Sequence, residues 1–313
     1  MLKVVKEISS AKLEKISKKI KKGEIVCFPT DTVYGIGAFI ENENSLKMLY
    51  DIKNRPYNSP IIVLLSNKDM LYKYTDNISE KTKKLINKFW PGALSIIVNK
   101  NKNIPDIISS KEKTIGFRIP LNKIAIDLIE FVGGGLATTS ANKSGEISPV
   151  LAEQVFESFK NDNRVKYLID GGATKERVES TVIDMTKEKP LIIREGIISK
   201  KEIEEVIGKV EVIKEERKTK KININIKFFN KKEDIKFNQE NAYITMRKYE
   251  EFKHNKNYFY FSENGDEKDI LKNLFLILDK VIKLKYNIIY VEKTNCENNS
   301  YELIYKKINK YID

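Results

Sequence analysis

The chain has 313 residues, with 57 Lys/Arg against 44 Asp/Glu, a net charge of +13, and 41% hydrophobic and 32% charged residues. That balance suits a soluble globular protein of two domains and argues against wholesale disorder. No apolar run reaches the ~18–20 residues that span a bilayer, the basic first 22 residues lack the apolar core of a secretion signal, and the two distant cysteines, Cys27 and Cys296, cannot make a cysteine-rich zinc site. A reduced compartment and a cytoplasmic location are expected.

In chain order, spacing predicts a helix over 11–22, stopped by Gly23. A strand over 24–28 then runs into PTDTVYGIG (29–37), which packs hydroxyls, a carboxylate and glycines directly behind it. A helix over 44–53 with an Asn cap ends in IKNRP (52–56), bringing Lys53 and Arg55. A buried strand is expected over 60–65, and Ser79 is placed to cap a helix over 80–89, ended by Pro91-Gly92. Further strands are predicted over 94–98, 114–119, 135–138, 167–169, 181–184 and 191–194, and helices over 122–131 and 151–159. Hairpin-like and helical connections together imply a mixed sheet. A linker is expected over 207–225, around VIKEERKTKKIN, which separates a domain over 1–206 from a small α/β domain over 226–313. That domain should hold strands over 242–246, 257–261 and 287–291, and helices over 266–284 and 301–311.

His254 is the sole histidine and sits in a polar stretch, so Ser–His and Cys–His nucleophilic pairs have little support. There is no GxxxxGK[ST] loop and no GxGxxG after a strand. A phosphate site would therefore be built from side chains and loop amides. Only seven of the 57 basic residues are arginine, so Arg55, Arg118 and Arg194, each inside a short motif, stand out as planar bidentate donors. TSANKSG (139–145) offers Ser140, Asn142 and Ser144 after a strand, with Ser148 beyond; STVID opens with Ser180; TIGFRIP carries Arg118 mid-strand; IIREG ends in Arg194. Thr32, Arg55, Arg118, Ser140, Ser180 and Arg194 all lie in strands or adjoining loops and can converge on one face.

The ordered motifs PTDTVYGIG, IKNRP-x3-PI, FWPGALSIIV, GFRIP, ATTSANKSGEISP, ESTVID and IIREG resemble the YrdC-like threonylcarbamoyl-AMP synthases over about residues 20–200. The last domain resembles, more weakly, the extra domain of two-domain members. The resemblance implies a twisted mixed sheet around a basic concave cavity, with a small Rossmann-like α/β domain behind it. It implies synthesis of threonylcarbamoyl-AMP and pyrophosphate from L-threonine, bicarbonate and ATP, for a downstream transferase that modifies tRNA beside the anticodon. By the same resemblance, Thr32, Arg118, Thr138 and Ser180 hold threonine. Lys53, Arg55, Ser59, Thr114, Ser140, Asn142, Ser148 and Arg194 hold the nucleotide, with Lys53 and Arg55 as the catalytic cations and Mg2+ carried on the phosphates rather than on a protein metal site. The chain departs from the family at Asp31, where Glu is usual, at Leu64, where many members have histidine, and in the linker, which lacks a PGM…HYAP-like stretch. Two rival readings are a non-catalytic RNA-binding module, since the charge permits a weak RNA contact, and a carbamoyl-transfer enzyme of hydrogenase maturation, whose zinc fingers two isolated cysteines cannot supply.

Overall fold

The computed structural model describes residues 1–213, 225–293 and 299–309. The chain divides into two compact units, residues 1–144 with 148–216, and residues 145–147 with 217–313.

The first unit carries, in order, β1 (Lys3–Val5), α1 (Ser10–Lys21), β2 (Ile25–Phe28), β3 (Gly35–Phe39), α2 (Glu43–Ile52), β4 (Ile62–Leu64), α3 (Lys68–Leu71), α4 (Glu80–Phe89), β5 (Leu94–Asn99) and α5 (Asp106–Ser109). It continues with β6 (Thr114–Arg118), α6 (Lys123–Val132), β7 (Leu136–Ser140), α7 (Ala152–Phe159), β8 (Val165–Ile169), β9 (Thr181–Asp184), β10 (Leu191–Arg194), α8 (Lys200–Ile207) and β11 (Glu211–Val212). The strands form one sheet in the order β1-β8-β2-β3-β7-β4-β6-β5-β9-β10-β11. It is mixed, as expected: β4/β6 and β5/β9 are parallel, while β2/β3, β3/β7, β4/β7 and β5/β6 are antiparallel.

Local chemistry sets the helix starts. Ser9, Asn42, Ser79 and Asn122 each accept a backbone N–H from the first turn of the helix they precede, satisfying donors that a helix leaves unpaired. The cap of α2 is Asn42, two residues earlier than the sequence suggested. Gly23 at φ +101 allows the reversal after α1. The four residues of β2, Ile-Val-Cys-Phe, are all buried, and with Tyr34, Tyr50, Phe117 and Phe159 they anchor the core. Each such side chain contributes about 1.5–3 kcal/mol on burial.

The main surprise is β3. No strand was expected here, yet Gly35 and Gly37 are extended and pair with β2 and β7. A Cβ on Gly35 would come within 2.7 Å of the Thr138 methyl, and one on Gly37 within 3.0 Å of the Phe28 ring. The glycines permit close packing rather than a turn. Strand pairing also runs on to Val212, inside the stretch expected as linker; residues 214–224 lie outside the described residues.

The second unit has a four-stranded parallel sheet ordered β12 (Ile226–Phe229), β15 (Ile288–Glu292), β13 (Asn241–Arg247), β14 (Tyr258–Ser262), with α9 (Glu267–Lys283) and α10 (Asn299–Asn309). The apolar stripe of α9, Ile270, Leu271, Leu274, Phe275, Leu278 and Val281, is buried. Cys296 and the end of the last predicted helix lie outside the described residues. Among the described residues no helix is long and apolar enough to cross a membrane.

Candidate active site on one face of the mixed sheet

Strand register brings the predicted residues together. Side chains alternate along a strand, so cross-strand partners share a face. Thr138 pairs with Gly37 and Ile62, Ser140 with Gly35, Arg118 with Leu64, Thr114 with Asn99, and Arg194 with Val182. Thr114, Arg118, Thr138, Ser140 and Arg194 therefore lie on the same face. Thr114 stands four residues, about 13 Å, along β6 from Arg118, so the two serve different ends of the face.

Arg118 is the centre of the first cluster. Its side chain is 6% exposed and its guanidinium donates to Gly92 O (2.9 Å), Thr32 Oγ1 (2.9 Å) and the Asp31 carboxylate, itself 2% exposed. Burial lowers the guanidinium pKa, Asp31 opposes that shift, and the neighbouring Arg194 charge adds to it. Among the described residues three of its five N–H donors are used by the protein, and two are left. Leu64, beside Arg118 in register and buried, offers no polar contact. Thr30 shapes the loop that holds Asp31 and Thr32: its Oγ1 receives the N–H groups of Thr32 (3.1 Å) and Val33 (3.3 Å) and donates to Val33 O (2.6 Å).

A second cluster joins β9, β10 and β5. Arg194 grips Ser180 with two donors, Nε to its carbonyl (3.0 Å) and Nη2 to its hydroxyl (2.9 Å). The Ser180 hydroxyl also lies 2.9 Å from that of Ser95, which is fully buried. Gly196 makes the β9–β10 approach possible, since a Cβ there would stand 2.3–2.4 Å from backbone atoms of Glu179, Ser180 and Thr181.

Lys53 follows α2 and reaches the end of β7. Its ammonium is buried and donates to Ser140 O (2.8 Å), Asn142 Oδ1 (3.1 Å) and the Asn142 carbonyl. It locks the 140–142 loop and places a cation beneath it. Arg55 curls onto its own loop, donating to Ser59 O (3.1 Å) and Pro60 O (2.7 Å). Ser148 donates to the buried Glu179 carboxylate (3.0 Å), so its hydroxyl proton is committed and only lone pairs remain for a ligand. The Thr138 hydroxyl donates to Leu136 O (3.0 Å).

Tyr34 fastens these loops together. Its N–H meets Pro149 O (2.8 Å), its carbonyl takes Ala141 N–H (2.8 Å), and its phenol donates to Gly172 O (2.7 Å). Glu176 N–H meets Asp31 O at 2.8 Å, tying the 171–180 loop to the same motif. Burial pushes the Tyr34 phenol and the Cys27 thiol well up, which makes neither a proton donor nor a nucleophile at neutral pH.

The sequence reading missed Asp31 as the Arg118 partner, Ser95, and Glu179. The signals were present: a carboxylate between two threonines, a serine in an otherwise apolar strand, and a glutamate preceding Ser180. Among the described residues no group of three His, Cys, Asp or Glu could hold a metal ion.

Comparison with known proteins follows the same outline. The profile of the Sua5, YciO and YrdC proteins, described as "Telomere recombination", matches residues 18–196. The chain is 38% identical over 193 residues to threonylcarbamoyl-AMP synthase of Pyrococcus abyssi, covering 62% of this chain and 56% of that protein. It is 39% identical over 199 residues to the Bacillus subtilis protein of the same name, with the same coverage. The matches thus span about half the length of these relatives. The crystal structure of Pyrococcus abyssi Sua5 complexed with L-threonine superimposes with a TM-score of 0.87 at 28% identity, covering 99% of this chain and 97% of that one.

Proposed function

The chain belongs to the family of Sua5, YciO and YrdC proteins, and on that premise we propose that it is a nucleotidyltransferase that makes threonylcarbamoyl-AMP and pyrophosphate from L-threonine, bicarbonate and ATP. The observation that carries the reading is Arg118: a buried guanidinium, held by Asp31, Thr32 and Gly92, with two N–H donors left and Ser180 and Arg194 on the same face. This arrangement suits an amino-acid carboxylate. Its resemblance to a relative solved with L-threonine supports the choice of amino acid.

In the proposed reaction the threonine amine and bicarbonate give a carbamate with loss of water. A carbamate oxygen then attacks the α-phosphorus of ATP, and the bond to the β-phosphate oxygen breaks to release pyrophosphate. Such a displacement needs positioning and charge neutralisation more than a protein nucleophile. Arg118, Thr32, Thr138 and Ser180 orient the amino acid. Arg55, Lys53 and Arg194 balance phosphate charge, while Ser59, Thr114, Ser140 and Asn142 position the nucleotide. Ser148, whose proton is given to Glu179, suits the adenine amine or a ribose hydroxyl rather than a phosphate oxygen. Magnesium bound to ATP would neutralise phosphate charge. The product would supply a partner that transfers threonylcarbamoyl to tRNA.

The test is pyrophosphate release by the purified protein from ATP, with and without L-threonine and bicarbonate. Release requiring both, and lost in Arg55→Ala, supports the proposal. Release independent of threonine would overturn it. Binding of RNA with no binding of ATP or threonine would favour the rival RNA-binding reading.

A further inference from the structure

Ser95 lies in FWPGALSIIV, no residue of which the resemblance assigns a role, yet it is fully buried on β5, and among the described residues its hydroxyl has one hydrogen-bond partner, the Ser180 hydroxyl at 2.9 Å. Register supports the pairing: Ser95 stands opposite Val182 on β9, so its side chain shares the face that carries Arg118 and Arg194. Donor counting leaves one proton over in either direction, on Ser95, which is sealed in the strand, or on Ser180, which lies on the face proposed to take the ligand, where a ligand oxygen can accept it. A hydroxyl has one proton and two lone pairs. Arg194 Nη2 occupies one lone pair of Ser180, since a guanidinium can only donate. If Ser180 gave its proton to Ser95, the Ser95 proton would be a buried donor without an acceptor, the costlier kind of orphan. With Ser95 as donor, both lone pairs of Ser180 are filled and its proton is left for a ligand.

We infer that Ser95 is a positioning residue that fixes Ser180 as an obligate hydrogen-bond donor, so that this point of the site takes a ligand oxygen, carboxylate or hydroxyl, and rejects a ligand N–H. The inference deepens the proposed threonine site and rests on that reading for the identity of the ligand. Two serines and one arginine set the polarity of a single contact.

Two measurements test it, one of them independent of any ligand. In urea unfolding of Ser95→Ala, Ser180→Ala and the double variant, Ser180→Ala should lower the midpoint more than Ser95→Ala, because it orphans a buried proton. Adding Ser95→Ala to Ser180→Ala should then recover part of the loss. The reverse order, or simple additivity, overturns the coupling of Ser95 to Ser180, while the direction of the bond is read by the ligand titration. In calorimetric titration with L-threonine, Ser95→Ala should weaken binding by about three- to tenfold, the usual worth of one hydrogen bond. ATP affinity should stay unchanged, and Ser95→Thr should restore threonine binding. Unchanged threonine affinity in a folded Ser95→Ala overturns the ligand part. If the unaltered protein binds no threonine, the proposed function fails, while the unfolding cycle still decides whether Ser95 and Ser180 act as a pair. L-valine, the hydroxyl-free isostere, locates the oxygen: equal weakening for both amino acids assigns it to the carboxylate, weakening for threonine alone to the hydroxyl.

Discussion

Replacing Asp31 by alanine should unfold the first unit more readily, and L-threonine should partly reverse the loss. Asp31 and Arg118 are 2% and 6% exposed, so the variant leaves a guanidinium buried with no counter-charge and with Arg194 nearby. Removing one partner of such a pair costs about 3–5 kcal/mol, a large part of the 5–15 kcal/mol that typically holds a domain folded. For a unit of this size the melting midpoint should fall by about 6–20 °C. Trp90, the sole tryptophan, is a suitable reporter: it is buried, bonds Leu94 O at 2.7 Å, and lies two residues from the Gly92 carbonyl that receives Arg118. Its fluorescence therefore follows the first unit. If a ligand carboxylate docks on Arg118, L-threonine should raise the midpoint of the variant by more than that of the unaltered protein, because it supplies the missing anion. Asp31→Asn, which keeps an acceptor but not the charge, should fall between the two. A loss below about 1 kcal/mol, or equal stabilisation of both proteins by threonine, would refute the argument that this pair is a buried anion-binding cation with its counter-ion.

Gly196→Ala should destabilise the first unit by about 1–3 kcal/mol and lower ATP affinity, because its methyl would meet backbone at 2.3–2.4 Å and push Arg194 from Ser180; circular-dichroism melting and nucleotide titration check both. Lys285 is exposed just past α9 with φ 57, so Lys285→Gly should stabilise the second unit by about 0.5–1 kcal/mol in urea unfolding. Cys27, fully buried with its thiol pushed up, should resist iodoacetamide in a Cys296→Ser background until urea unfolds the chain; labelling of the folded protein at the rate of a free thiol would contradict the packing of β2.

Much of the sheet was legible because its strands are short apolar runs bounded by caps and turn residues. β9 and β10 run over the predicted residues, and Ser79 caps α4 as expected. The miss at β3 has a physical cause: glycine signals freedom of backbone, and only the third dimension shows that Gly35 and Gly37 use it for clearance under Thr138 and Phe28. α8 and β11 fell in a charged stretch whose apolar positions, Ile203, Ile207 and Val210, are buried yet sparse. Of the arginines singled out in a lysine-rich chain, Arg118 and Arg194 both make the forked contacts that lysine cannot. The partners were harder to read. Asp31, Ser95 and Glu179 matter through what they touch, which register and loop packing decide, and no local spacing encodes a contact between residues 85 positions apart such as Ser95 and Ser180.

The central claim is that one protein joins threonine, bicarbonate and AMP. The most direct measurement is mass spectrometry of the nucleotide product formed from carbon-labelled bicarbonate, nitrogen-labelled L-threonine and ATP. The account predicts one AMP adduct carrying both labels, in step with pyrophosphate release. AMP bearing threonine without the bicarbonate carbon, or pyrophosphate with unmodified AMP alone, would contradict it.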